Sequence, residues 1–308
     1  QAQQLSQLDT VPTARRRRSR QDQEGNGQLR KSSEGSRWRR RKRPQLEWMV
    51  KQIKEVVESH PDFGSKPLNI LDVGGGRGHL SNYLSSTLGN NVANVHVIDI
   101  DSRTVKNGKM DAERRGLNVR FGVGDASRSS NVAKLLESDE EVASNTGTQN
   151  EDDSDSIASA GNYDVIVALH ACGALSDVSL GHAAVNKAAF VITPCCFRSN
   201  PQLQVSVPIH NNDTRRDGND ASIVLQRPSK WLGMEEEDMV ELAQAAELQG
   251  DQQTSGIAIH TLCALRAQAV KHHISPSIAS GESEMNVNIK TFPIGFSTRN
   301  YCIVGKFL

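Results

Sequence analysis

Apolar positions along the chain change their period early. Leu46, Met49, Val50, Ile53, Val56 and Val57 recur at steps of three and four, which predicts an amphipathic helix from Gln45 to about His60-Pro61. After Pro67 the apolar residues gather into short runs separated by Gly, Asp and Asn. These runs predict strands at 69–73, 94–100, 118–123, 163–169 and 189–193. Helical or polar stretches lie between them, the alternation of βαβ units around a parallel sheet. Residues 198–230 show no clear period. Helical spacing returns at 234–248 and 255–272, and 286–293 with 300–307 reads as a closing hairpin. Five parallel strands and a terminal antiparallel hairpin predict an α/β, Rossmann-like, seven-stranded and mostly parallel sheet with helices on both faces.

Charge changes the picture at two places. The totals cancel at 36 basic and 36 acidic residues, yet residues 1–43 hold thirteen Lys or Arg against four Asp or Glu. From 137 to 156 there are eight acids and no Lys or Arg. Both stretches are poor in branched apolar residues, so 1–44 is expected to be a disordered basic arm and about 130–160 a disordered acidic insertion in a domain spanning 45–308. The arm suits a phosphate backbone, a targeting receptor or plain solvation. Five cysteines without a CxxC pair fit thiols in a reducing compartment better than a disulfide framework. No run of about eighteen apolar residues exists, so no membrane partner is expected. The expected location is intracellular, cytoplasmic or nuclear, with an organelle still open. The chain opens on Gln1 and not Met, which leaves an upstream targeting segment open as well.

The most informative stretch is Asn69-Ile-Leu-Asp-Val-Gly-Gly-Gly-Arg-Gly-His-Leu-Ser81, a buried strand running through glycines into a helix. The dinucleotide fingerprint GxGxxG fails, because its third glycine position is His79. The actual spacing is Asp72-x-Gly74-x-Gly76-x-Gly78. An acid so close to the turn suits a ligand with an ammonium group and no pyrophosphate. Asp99 ends the second strand, where a carboxylate accepts ribose hydroxyls, with Asp101 the weaker alternative. Asp125, followed by Ala126, ends the third strand, where it is similar to the acid that reads an adenine amine in class I methyltransferases. One such acid alone would be read as a helix cap; three in order, each at a strand end, point to a nucleoside.

This arrangement resembles the first motifs of class I methyltransferases, which bind S-adenosylmethionine (SAM). The later stretches Leu169-His-Ala-Cys-Gly-Ala-Leu-Ser-Asp177 and Pro194-Cys-Cys-Phe197 narrow the resemblance. They are similar to the methyltransferase domain shared by the tRNA acceptor-stem 2′-O-methyltransferase and the glutathione S-transferase C-terminal-domain-containing protein, over roughly 45–193 and the final hairpin. The resemblance implies a methyl acceptor in RNA, tRNA first. It makes His170, Cys172, Asp177, Cys195 and Cys196 the candidate catalytic residues, with His170 also facing the cofactor. The tRNA members carry zinc-finger cysteines outside this domain, and residues 1–66 here contain none.

Several chemistries share those side chains. His170 reads as a general base or as a residue that shapes the pocket. Cys195 reads as a covalent nucleophile, although the usual acid-Pro-Cys partner motif is absent. Zinc held by His170, Cys172, Cys195 and Cys196 is chemically conceivable, but adjacent cysteines seldom share one tetrahedral ion, so no metal site is assigned. Cys263 and Cys302 read as core thiols. The fourth strand lacks an Asn/Asp-Pro-Pro-aromatic motif, which disfavours an exocyclic base amine. An acceptor in a protein or small molecule, and a non-catalytic binding module on the same fold, are the alternatives.

Overall fold

The computed structural model describes residues 42–89, 93–137, 162–209, 222–274, 284–293 and 300–308. The basic arm up to residue 41 and the acidic stretch 138–161 lie outside them.

Helix α1 (Arg43–Glu58) has Pro44 in its first turn, where a missing N–H costs nothing, and buries the periodic face from Leu46 to Val57. The parallel strands follow as β1 (Leu68–Val73), β2 (Ala93–Asp99), β3 (Val119–Val123), β4 (Val165–Cys172) and β5 (Ala189–Cys195). Helices α2 (His79–Leu88), α3 (Ser102–Arg114), α4 (Ser129–Glu137) and α5 (Leu175–Asn186) connect or flank them. The first residues of the expected acidic insertion are thus helix α4, so a helical turn signal at Ser129 outweighs the polar composition that follows.

The stretch 198–230, read from sequence as irregular, holds an antiparallel pair, β6 (Val205–Ile209) and β7 (Ser222–Gln226), and the short helix α6 (Pro228–Leu232). Two five-residue strands with Pro208 inside one give too little alternation to stand out. Helices α7 (Glu236–Ala245) and α8 (Gln252–Ile274) come next, and β8 (Met285–Thr291) with β9 (Tyr301–Phe307) form the predicted hairpin.

The main sheet has the order β3-β2-β1-β4-β5-β9-β8, parallel up to β5 and antiparallel beyond. The order reverses direction between β1 and β4, which opens a crevice at their carboxyl ends. Strand alternation feeds two cores. Leu68 and Ile70 face α1 and α2, whereas Leu71 and Val73 join the core under α4, α5 and α8. Asp72 shares the parity of Leu68 and Ile70, so its carboxylate lies on the α1–α2 side of the sheet.

Candidate functional site

The glycine turn after β1 is built from left-handed residues. Gly74, Gly76 and Gly78 have φ of +68°, +54° and +64°, a region closed to most side chains. A Cβ on Gly76 would meet only Asp99 Oδ2, at 3.7 Å, so open space lies over that residue. The turn is tied to its neighbours. Gly74 N donates to Ile98 O at 2.8 Å, Gly76 N to Asp99 Oδ2 at 2.9 Å, and Gly124 N to Asp99 O at 3.1 Å. The tips of β1, β2 and β3 therefore form one continuous ledge.

The three acids sit differently on that ledge. Asp72 is 1% exposed; Ser81 Oγ, one turn into α2, donates to its Oδ2 at 2.6 Å, while Oδ1 has no hydrogen-bond partner. Burial first, and the charge of Asp99 after it, push this carboxyl up to about 7 despite the Ser81 hydrogen bond. Asp99 Oδ1 accepts from Asp101 N at 2.9 Å, so both its oxygens are fixed by backbone N–H groups. Asp101 is occupied as the N-cap of α3, accepting from Arg103 N and Thr104 N. Asp125 Oδ1 accepts from Ser127 N and Ser127 Oγ at 2.9 and 2.8 Å, an Asx turn that ends β3. Next to it, Ala126 is buried, and its carbonyl accepts from His182 Nε2 at 2.6 Å. Desolvation lowers the His182 pKa, so α5 presents a neutral donor that anchors this end of the ledge.

A cavity of about 110 Å³ opens beside the turn, lined by Lys42, Gln45, Asp72, His79, Leu169 and His170 among others. Lys42, counted in the sequence as part of the arm, is thus one of the residues that line the cleft with Asp72. Sequence alone gave no sign of this, because helix α1 brings it there through long-range packing.

At the tip of β4 the ladder slips by one residue. Leu169 pairs with Thr193, but Ala171 pairs with Pro194, leaving His170 as a bulge with φ +63°. His170 is exposed at the cleft, and partial desolvation and Lys42 lower its pKa. The bulge also inverts side-chain parity beyond it. Cys172 consequently pairs with Cys195 on one side of the sheet, their sulfurs 3.1 Å apart. Cys196 has φ +44° and brings its own sulfur into the group: all three lie within 4.8 Å of one another. All five cysteines are thiols, with Cys263 and Cys302 buried in the core as read from sequence. The Cys172 hydrogen bond, burial and the two adjacent sulfurs push the Cys195 thiol far up, which disfavours a thiolate nucleophile there.

Asp177 departs from the sequence reading. Its carboxylate is fully buried under α5 and makes a two-pronged pair with Arg266 of α8, Nε to Oδ1 at 2.9 Å and Nη2 to Oδ2 at 2.7 Å. Arg266 Nη2 also reaches Gly173 O at 3.4 Å. Asp177 is therefore taken up by a buried ion pair behind the β4 tip and does not face the cleft at its surface. A buried acid on a predicted helix hints at a cation somewhere, but nothing local points to residue 266.

A family model described as a methyltransferase domain matches residues 41–204, more than half of the chain. The chain belongs to that family. Residues 41–204 are thus a methyltransferase domain, and the cofactor to set against the ledge is the S-adenosylmethionine expected from the sequence. The glutathione S-transferase C-terminal domain-containing protein of Xenopus laevis is 46% identical over 37 residues, 12% of this chain and 6% of that protein's length. Among solved structures, a SAM-dependent methyltransferase from Aquifex aeolicus is 14% identical, covering 91% of this chain and 96% of its own, at a TM-score of 0.34. The rRNA methyltransferase AviRa from Streptomyces viridochromogenes is 12% identical over 48% of this chain and 73% of its own, also at 0.34.

The residues fit the cofactor. The partnerless Oδ1 of Asp72 suits an ammonium group, Asp99 a ribose, and the open space over Gly76 the body of the ligand. Among the described residues no helix is long and apolar enough to cross a membrane.

Proposed function

We propose that this methyltransferase modifies RNA, with tRNA the favoured acceptor. The observation that carries the proposal is where the arm leads. The first 43 residues hold thirteen basic residues, and the last but one of them, Lys42, lines the cleft with His170 and Asp72. Phosphates tracked by the arm would be delivered to the mouth of the site, with affinity independent of sequence and dependent on salt.

When bound, SAM supplies a methyl group on a sulfonium, electrophilic enough that alignment contributes more than acid or base strength. Asp72 and Lys42 line one end of the cleft together, suited to an amino-acid ammonium and carboxylate. Asp99 and Asp125 orient the nucleoside, and Ala126 is fixed by His182 behind it. His170, set outward by the bulge, is placed to accept the proton that a hydroxyl or nitrogen acceptor gives up. Cys172, Cys195 and Cys196 line the same strand tips. Residues 1–44 act as the RNA-binding arm, and 45–308 as the catalytic domain carrying the acidic insertion.

The test is to incubate the full chain and radiolabelled SAM with total RNA and, separately, with a protein extract. Label in nuclease-sensitive material, lost together with salt-dependent tRNA binding when residues 1–41 are removed, is the expected result. Label confined to protein or to small molecules would overturn the RNA reading and leave the fold and donor site untouched.

A further inference from the structure

We propose that Cys172, Cys195 and Cys196 form a binding site for one zinc ion, held by three thiolates at the tips of β4 and β5. The proposal is independent of which acceptor the enzyme uses. It rests first on distance. Zinc–thiolate bonds of about 2.3 Å at tetrahedral angles separate two sulfurs by roughly 3.8 Å. The three sulfurs here span 3.1 Å for Cys172–Cys195 and at most 4.8 Å for any pair, which brackets that separation. Small rotamer changes would bring all three to one ion.

The second support is the backbone. Consecutive strand residues point to opposite faces, the reason neighbouring cysteines rarely share an ion. Here the chain departs from strand geometry at each place needed to defeat that rule. The bulge at His170 moves Cys172 onto the side of Cys195, and the left-handed Cys196 turns its thiol back toward them. Three of the four non-glycine residues with positive φ among the described residues, His170, Cys196 and Asn200, surround the cluster. Such strain persists only when the surroundings impose it. They do: Asn200 Nδ2 donates to Cys172 O at 3.0 Å, and Gly173 N to Cys195 O at 2.9 Å. At Gly173 itself a Cβ would fall 1.7 Å from Ser199 O, so this corner admits only glycine.

Chemistry selects the ion. A set of soft sulfur donors without carboxylates favours zinc over magnesium or calcium. Three thiols and Zn²⁺ give a zinc tri-thiolate of net charge −1 and release three protons, with no change of oxidation state. Three protein ligands leave a fourth position for solvent.

The experiment uses the full chain, stripped with a chelator and held in a phosphine reductant, titrated with cadmium chloride as a spectroscopic stand-in for zinc. A sulfur-to-cadmium charge-transfer band should rise and stop at one equivalent, and zinc chloride should abolish it. The triple variant Cys172→Ser, Cys195→Ser, Cys196→Ser, which keeps Cys263 and Cys302, should show no band. Should that variant not fold, Cys196→Ser alone, checked by circular dichroism, should lose about a third of the band. Its zinc affinity should fall by more than the roughly 10- to 100-fold typical of losing a supporting partner. No band in the wild type, or an undiminished band in either folded variant, overturns the proposal.

Discussion

The two ends of the cleft are built by opposite means. At the donor end, β1 to β3 finish in glycines and in acids bonded to nearby backbone, and each left-handed position is a glycine that adopts it freely. At the reacting end, β4 and β5 finish in left-handed His170 and Cys196, and α8 braces the corner through Arg266, 89 residues beyond Asp177. The donor cradle is relaxed and local, whereas the reacting corner is strained and held from a distance. Recognition of a common cofactor needs only the first kind of construction; placing a few reactive groups within a fraction of an ångström requires the second.

The contrast breaks most severely at the donor end through Gly76→Val. Its φ of +54° excludes a β-branched residue, and the added side chain would occupy the open space over the turn. SAM binding by calorimetry should fall below detection, a loss of at least ~100-fold, about 2.7 kcal/mol. Affinity like that of the wild type would place the donor elsewhere. At the reacting end the largest effect belongs to Arg266→Met, which leaves the buried Asp177 charge unpaired. Urea unfolding should show a loss of about 3–5 kcal/mol. The double variant Arg266→Met, Asp177→Leu should regain most of it yet still transfer methyl slowly while binding SAM normally. Full activity in the double variant would show that the pair does not position the β4 tip.

A smaller and pH-dependent effect tests the donor acid. Asp72 is held neutral by burial, its carboxyl pushed up to about 7 against 3.8 in the unfolded chain. Because the folded value lies above the unfolded one, stability is fully present below about pH 4 and is lost as pH climbs through 7. At about 1.4 kcal/mol per unit, the loss without cofactor is at most on the order of 4 kcal/mol. The cofactor's ammonium needs the ionised form, so SAM affinity should rise over the range in which apo stability falls. In Asp72→Asn the melting temperature should decline less from pH 5 to 8 than in the wild type, the lowered pKa values of His170 and His182 acting in the opposite direction in both proteins. Parallel slopes in the two proteins would assign the pH dependence to another group.

The same division governs what the sequence reveals. The helix α1, the five parallel strands, the closing hairpin and the places of three acids at or beside strand ends were legible because each depends on residues close together: an apolar period, a glycine spacing, an acid at a strand end. The preference for Asp99 over Asp101 came from the family motif it matches, and the structure adds that Asp101 is the N-cap of α3. Asp177 was misread because its partner comes from α8, and no local pattern couples residues 177 and 266. The β6–β7 pair was missed because its strands are short and one contains Pro208. That Cys172, Cys195 and Cys196 meet was legible from their places at two adjacent strand tips; the one-residue slip in the β4–β5 register that aligns them was not, because a slip leaves no trace in hydrophobic alternation that short.

The finest probe of the comparison is His170→Gly, because it turns the reacting corner into a copy of the donor one. Glycine adopts φ +63° freely, so the strain of a left-handed residue, about 1–2 kcal/mol, is relieved. Part of that gain is offset by the greater freedom of glycine in the unfolded chain, roughly 0.4–1 kcal/mol. The folded protein should therefore become slightly more stable, by about 0.5–1 kcal/mol in urea unfolding. The bulge survives, so SAM affinity and the cysteine cluster should be unchanged. Methyl transfer, however, should fall by roughly 10²–10⁴-fold if the imidazole takes the acceptor's proton. Gain in stability with loss of turnover would mean that the bulge is strained in order to present this side chain. Equal turnover in the variant would reduce His170 to a spacer whose function is to set the β4–β5 register.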